Sequence, residues 1–142
     1  QETAQLIAEE LGHKVKLVYN FLAMGSAALV CESLAACART GLDLDMFYRL
    51  VSAGGANSNM FQMVVPKALQ GDLTGLQFTL GNAQKDIGYY QAMLANAPLA
   101  GALGAALLQT LIQANALGLG DKFVPSLIEA HEKVNAIRVG KH

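Results

Sequence analysis

Leu6, Leu11, Val15, Val18, Leu22, Leu29 and Leu34 recur at helical spacing, with Ala23, Gly25, Ser26, Ala27 and Ala28 between the later ones. The pattern predicts one long helix from about Thr3 to Ala38. Thr40-Gly41 supplies its stop, with Gly41 suited to the left-handed cap position. A helix of about 36 residues exceeds the usual 8–20 of a globular domain, so support from outside a simple bundle is expected. Gly12 or Gly25 is expected to mark a bend or a close contact.

Shorter periodic segments follow. Asp43 or Asp45 caps a short helix through Met46, Phe47, Leu50 and Val51, and Ser52–Asn57 is a glycine-punctuated loop. Asn57 or Ser58 caps a third helix to about Leu69, with a kink expected at Pro66. After the turn Gly71–Gly75, a fourth helix covers about Thr79 to Ala95. Asn96-Ala97-Pro98 breaks it, and a fifth runs from Leu99 to Leu117. Pro125 suits the first turn of a sixth, which is expected to end near Arg138. No segment alternates at period two for long enough to make a strand. The expected fold is all-α, with about six helices and one long N-terminal helix.

Length and composition narrow the class. The 142 residues suit a single domain, 53% hydrophobic and only 15% charged against a usual ~25%. Ten Lys and Arg against eleven Asp and Glu leave a net charge of −1 with no run of either sign. A nucleic-acid binder needs a concentrated basic face to displace counterions, and none is present. From Ile87 to Gly120 no side chain carries a charge, but polar residues interrupt the stretch. Its longest apolar run, Pro98 to Leu108, falls short of the ~20 residues of a membrane span. A buried central helix or a subunit interface is expected there, and no membrane. Six residues of helix would separate Cys31 from Cys37 by roughly 9 Å, too far for a disulfide. Two buried free thiols and a cytoplasmic location are therefore expected. The chain opens on Gln1 within helix-forming sequence, and a piece of a longer protein is expected.

The residue inventory for chemistry is thin. His13, His131 and His142 lack metal-ligand spacing and read as structural or solvent-facing; no metal is expected. The glycine pairs at Gly101 and Gly104 and at Gly118 and Gly120 complete no dinucleotide fingerprint and follow no strand. The first pair fits close helix packing. Lys16 and Asn20 stand four apart and so share a helix face. A lysine desolvated there would have its pKa lowered toward a proton-transfer range, beside an amide able to orient a hydroxyl or carbonyl. Lys85-Asp86, in a nearly charge-free region, reads first as a structural charged pair.

The order of these pieces resembles the β-hydroxyacid dehydrogenases, the family of 3-hydroxyisobutyrate dehydrogenase, tartronate semialdehyde reductase and the 6-phosphogluconate dehydrogenases. Gly12 to Asn20 is similar to that family's G-x-x-x-K-x-x-N-N helix. Glu32, Thr40-Gly41-Leu42-Asp43, Ser58 and Gly71-Asp72 follow in the family's order. Phe78 stands seven residues before Lys85-Asp86, as in its F-x-x-x-x-x-x-K-D. Pro98, Gly118-Leu119-Gly120-Asp121 and Ser126-Leu127-Ile128 complete the series. Tyr19 replaces the first Asn of the pair, and Glu10 the first glycine of the family's G-x-G before the lysine.

The resemblance covers the family's helical C-terminal domain. It implies a two-domain oxidoreductase whose N-terminal Rossmann domain, outside this chain, binds NAD or NADP. It implies Lys16 as the catalytic lysine, Asn20 as a substrate contact and Lys85 as a contact to the cofactor near its nicotinamide. A small hydroxy-acid substrate and a homodimer or higher homo-oligomer follow, with the isolated chain inactive. The alternative is a stand-alone helical dimerisation module that kept the scaffold without the chemistry.

Overall fold

The computed structural model describes residues 2–140. Gln1 and His142 lie outside the described residues. Six α-helices follow in order: α1 (Glu2–Thr40), α2 (Leu44–Ser52), α3 (Asn59–Leu69), α4 (Leu80–Asn96), α5 (Ala102–Ala116) and α6 (Leu127–Asn135). A 3-10 turn at Val124–Ser126, with Pro125 inside it, leads into α6. Among the described residues there is no strand, only an isolated antiparallel bridge between Thr79 and Phe123. The fold is all-α, as the periodicity predicts.

Local chemistry explains where the helices begin and end. Asp43 rather than Asp45 caps α2, its carboxylate accepting from the Met46 N–H at 3.0 Å. Ser58 rather than Asn57 caps α3, accepting from Phe61 N–H at 3.0 Å. α3 continues through Pro66 to Leu69. Gly41, Gly71 and Gly118 follow α1, α3 and α5 with φ of 76°, 85° and 85°. In each case the next N–H reaches back five residues, from Leu42 to Cys37, Asp72 to Lys67 and Leu119 to Ala114, at 2.9 to 3.2 Å. This is the glycine-dependent stop that leaves no Cβ in the left-handed conformation. α6 ends in the same way without a glycine. Ala136 takes φ 51°, and Ile137 N–H bonds to Glu132 at 3.2 Å. The helix therefore stops at Asn135, short of the expected Arg138. The tail then turns back to bury Val139, whose N–H donates to the Glu132 carboxylate at 2.7 Å.

The second half of α1 is the axis of the core. Met24, Ala27, Cys31 and Leu34 are buried, surrounded by Val65 of α3, Ile87 of α4, Leu111 of α5 and Ile128 of α6. The uncharged stretch supplies Ile87, Leu107, Leu111 and Ala114 to this core. It forms the α4–α5 hairpin, and α5 buries one face while leaving Leu103 79% exposed. The hairpin is tight, as the glycine pair predicts. A Cβ at Gly104 would lie 2.3 Å from Gln91 Oε1 and 2.9 Å from the Tyr90 ring. Gly12 and Gly25 mark no comparable contact: the first has open space and the second only Leu107 at 3.9 Å. Cys31 and Cys37 are both free and buried. Burial pushes the Cys31 thiol up to about 12 and raises that of Cys37 as well.

The first half of α1 behaves differently. Residues 2–16 are all exposed, and of the seven apolar positions that mark the helix in the sequence only Leu34 is buried. The helix outruns the domain it anchors, so its early apolar residues meet nothing in this chain. By length and composition α1 is also apolar enough to cross a bilayer, with a mean hydropathy of 1.7 over its most apolar window. A third of that window is buried in the fold, because the same residues supply the core.

Two glycines separate crowding from helix propensity. A Cβ at Gly75 would fall 2.2 Å from the Met63 carbonyl oxygen and 3.2 Å from Val64 Cα, both backbone atoms. Gly88, inside α4, has nothing within 4 Å. Gly75→Ala is expected to cost about 2–3 kcal/mol and Gly88→Ala to stabilise by about 0.5–1 kcal/mol, read by chemical denaturation. Equal effects at the two positions would contradict this packing.

Candidate active site

Of the residues singled out in the sequence, Asn20 and Asp86 meet across the seam between α1 and α4, whereas Lys16 and Lys85 stay exposed. Lys16 and Asn20 lie one turn apart on α1. Asn20 Nδ2 donates to Asp86 Oδ2 of α4 at 2.8 Å. Beside this bond Phe21 stacks on Tyr90, with centroids 4.3 Å apart and planes within 4°. Leu17, Tyr90 and Leu94 close a small apolar cluster one turn further along. The stack and the cluster fix the register of the two helices, and that register delivers Asn20 to Asp86.

Lys85 and Asp86 do not form the charged pair that their adjacency suggests. Consecutive helical residues diverge by about 100°, so Asp86 faces α1 while Lys85 lines an open groove beside Gly81, Gly88, Tyr89 and Leu108. The start of α4 is pinned by the segment before α6. Val124 N–H donates to the Phe78 carbonyl at 2.8 Å, Leu80 N–H to Lys122 at 2.9 Å and Gly81 N–H to Gly120 at 3.0 Å. The Phe78 and Gly118–Asp121 motifs, far apart in sequence, therefore hold one another and set the position of Lys85 and Asp86.

Lys16 and Lys85 are exposed, and Asn20 and Asp86 are half-buried. The desolvation expected around Lys16 is thus not supplied by this chain, because α4 packs on the Leu17 side of α1 and residues 2–16 stay exposed. His13 is exposed. His131 is half-buried and, with Glu32, lines a cavity of about 300 Å³ that Phe21, Leu22, Leu29 and Leu103 make largely apolar. Among the described residues, no group of three His, Cys, Asp or Glu side chains could hold a metal ion. Sequence reasoning missed the Asn20–Asp86 bond and the Phe21–Tyr90 stack. The available signal was a carboxylate four residues before an aromatic on an otherwise uncharged helix face.

The family model described as NAD-binding of NADP-dependent 3-hydroxyisobutyrate dehydrogenase matches residues 11–130. The chain belongs to that family, the β-hydroxyacid dehydrogenases, which are NAD(P)-using oxidoreductases. L-threonate dehydrogenase of Cupriavidus necator is 32% identical over 113 residues, covering 80% of this chain and 38% of that protein. 3-Sulfolactaldehyde reductase of Escherichia coli is 29% identical over 120 residues, covering 84% and 40%. The crystal structure of 3-hydroxyisobutyrate dehydrogenase from Salmonella typhimurium superimposes with a TM-score of 0.75 at 26% identity, covering 81% and 40%. This chain spans about two fifths of the length of these relatives.

His131 gives the fold a testable pH response. Burial lowers its pKa from the ordinary 6.5, and Glu32 partly opposes the shift. Above 6.5 the residue is neutral folded and unfolded, and its contribution to stability is complete. As the pH falls below that value the unfolded chain takes up the proton first, so stability is lost until the folded pKa is passed. His131→Gln is expected to flatten this part of the pH–stability curve in thermal unfolding. An unchanged slope would remove His131 from the account.

Proposed function

We propose that this chain is the helical C-terminal half of an NAD(P)-dependent oxidoreductase that interconverts a small β-hydroxy acid and its semialdehyde or keto form. The observation that carries this reading is the juxtaposition of the Lys16–Asn20 face with the Lys85–Asp86 turn, in a chain that matches the family from residue 11 to 130. Lys16 is the general acid–base: neutral, it takes the hydroxyl proton of the alcohol; charged, it donates a proton to the carbonyl oxygen and stabilises the charge developing there. Asn20 holds the substrate within reach of Lys16. When bound, the nicotinamide supplies hydride transfer.

The residues present fit one part of that cofactor. Lys85 offers a cation on an open groove, next to two glycines that keep the surface of α4 low. No strand–turn–helix among the described residues can cradle the pyrophosphate, so that task is assigned to an N-terminal Rossmann domain. The same domain would cover the first half of α1 and exclude water from Lys16. The buried free thiols favour a reducing, cytoplasmic setting. A Gly-x-Gly-x-x-Gly turn encoded upstream of Gln1 supports this reading; an unrelated domain or a stop there supports a stand-alone dimerisation module.

A homo-oligomer is part of the proposal. A compact monomer of 15.0 kDa exposes about 7,000 Å², whereas this chain exposes 8356 Å². Leu22 and Leu29 on α1 are 67% and 69% exposed, beside the apolar cavity shared with Leu103 of α5. The surplus is of the order of the ~800 Å² that one partner contributes to a stable interface. Sedimentation equilibrium is expected to give a dimer or larger at high micromolar concentration, weakened by Leu29→Glu. A monomer at every concentration would refute it.

Kinetics of the two-domain enzyme test the chemical assignment. Lys16→Ala is expected to lower kcat by roughly 10²- to 10⁴-fold. Lys14 points elsewhere on α1 and makes a surface ion pair with Glu10 at 3.2 Å, so Lys14→Ala is expected to stay close to wild type. Near-normal turnover of the Lys16→Ala enzyme would end the assignment.

A further inference from the structure

Asn20 can serve a substrate only if its amide has a defined sense. The two ends of the amide are nearly equal in size and opposite in hydrogen-bonding character, and a half-exposed Asn can exchange them by rotation. Asp86 removes that freedom. An ionised carboxylate only accepts hydrogen bonds, so the group that meets Asp86 Oδ2 at 2.8 Å must be the NH2 of Asn20. The carbonyl oxygen Oδ1 is then carried to the side away from α4. Neither backbone is free to slide, since the Phe21–Tyr90 stack lies beside the bond and the start of α4 is held by Lys122 and Gly120.

We propose that Asp86 is a positioning residue: it anchors the amide of Asn20 so that Asn20 presents its carbonyl oxygen, an acceptor, to a hydroxyl of the bound hydroxy acid. The inference rests on the reading of Lys16 and Asn20 given above, and it adds a residue and a polarity to it. Asp86 touches neither substrate nor cofactor in this role. A charge-assisted bond to a carboxylate is stronger than a neutral one, which suits an anchor on a half-buried seam. It also separates the duties of two adjacent residues: Lys85 turns outward to the groove, while Asp86 turns inward to Asn20.

The test is a double-mutant cycle and a partner exchange in the two-domain enzyme, assayed in the direction of hydroxy-acid oxidation. Asp86→Ala is expected to raise KM for the hydroxy acid and to lower kcat/KM roughly 10-fold, the scale of one lost orienting contact. Asp86→Asn keeps an oxygen for the Asn20 NH2 and is expected to recover to within about 3-fold of wild type. In an Asn20→Ala background Asp86→Ala is expected to add nothing, because the group it anchors is gone. Asn20→Asp alone sets two carboxylates against each other and is expected to be severely impaired. Adding Asp86→Asn rebuilds the bond with donor and acceptor exchanged, leaves an oxygen facing the substrate, and is expected to restore most of the loss. That arm decides the matter even if Asp86→Ala fails to fold. Independent, multiplying losses at the two positions, or an exchange no better than Asn20→Asp alone, would overturn the proposal. An active Lys16→Ala enzyme would instead sink the underlying assignment, whereas an inactive Lys16→Ala enzyme with Asp86→Ala at wild-type activity would sink this inference alone.

Discussion

One helix does two incompatible-looking jobs, and the rest of the molecule follows from that. Over its second half α1 is the axis against which α3, α4, α5 and α6 bury their apolar faces. From residue 2 to residue 16 it projects with every residue exposed. An isolated helix gains little from its own hydrogen bonds in water, so the packed half must stabilise the projecting one. Burial of Leu34, Ile87, Leu111 and Ile128 around the axis supplies that support. Lys16 and Asn20 fall at the boundary between the two halves, where the chain is rigid but still open to whatever approaches it.

The second constraint is the fixing of α4 against α1. Helices that touch through aliphatic side chains alone can shift register at small cost, whereas a near-parallel aromatic stack and a carboxylate–amide bond have direction. Phe21 on Tyr90 and Asn20 on Asp86 supply that direction from two adjacent residues of α1. At its other end α4 is tied by backbone hydrogen bonds to residues 120–124. The glycines of the α4–α5 hairpin let Gln91 and Tyr90 lie against α5 without a clash. The candidate site is consequently built on rigid elements, with Lys16 and Lys85 each exposed to solvent.

Much of this was legible in the sequence because it depends on local physics. The six helices, the caps at Asp43 and Ser58, and the stops at Gly41, Gly71 and Gly118 each follow from a few neighbouring residues and their backbone preferences. The end of α6 was not legible, since Ala136 carries no signal for the left-handed conformation it adopts. Burial along α1 misread for a different reason. Helical periodicity reports that a face is apolar, but not whether the partner that covers it belongs to the same chain.

The candidate site divides along the same line. The spacing of Lys16 and Asn20 places them on one face in any helix, and the divergence of Lys85 from Asp86 is likewise a property of helical geometry. That much the amino-acid sequence determined alone. Which of them meet was decided only in three dimensions. Asn20 and Asp86 are 66 residues apart, and their bond exists because the α1–α4 register, set by aromatic stacking and by the anchoring of α4, brings them within 2.8 Å. Exposure of Lys16 was decided there too, because α4 covers the face of α1 that carries Leu17 and leaves Lys16 in solvent.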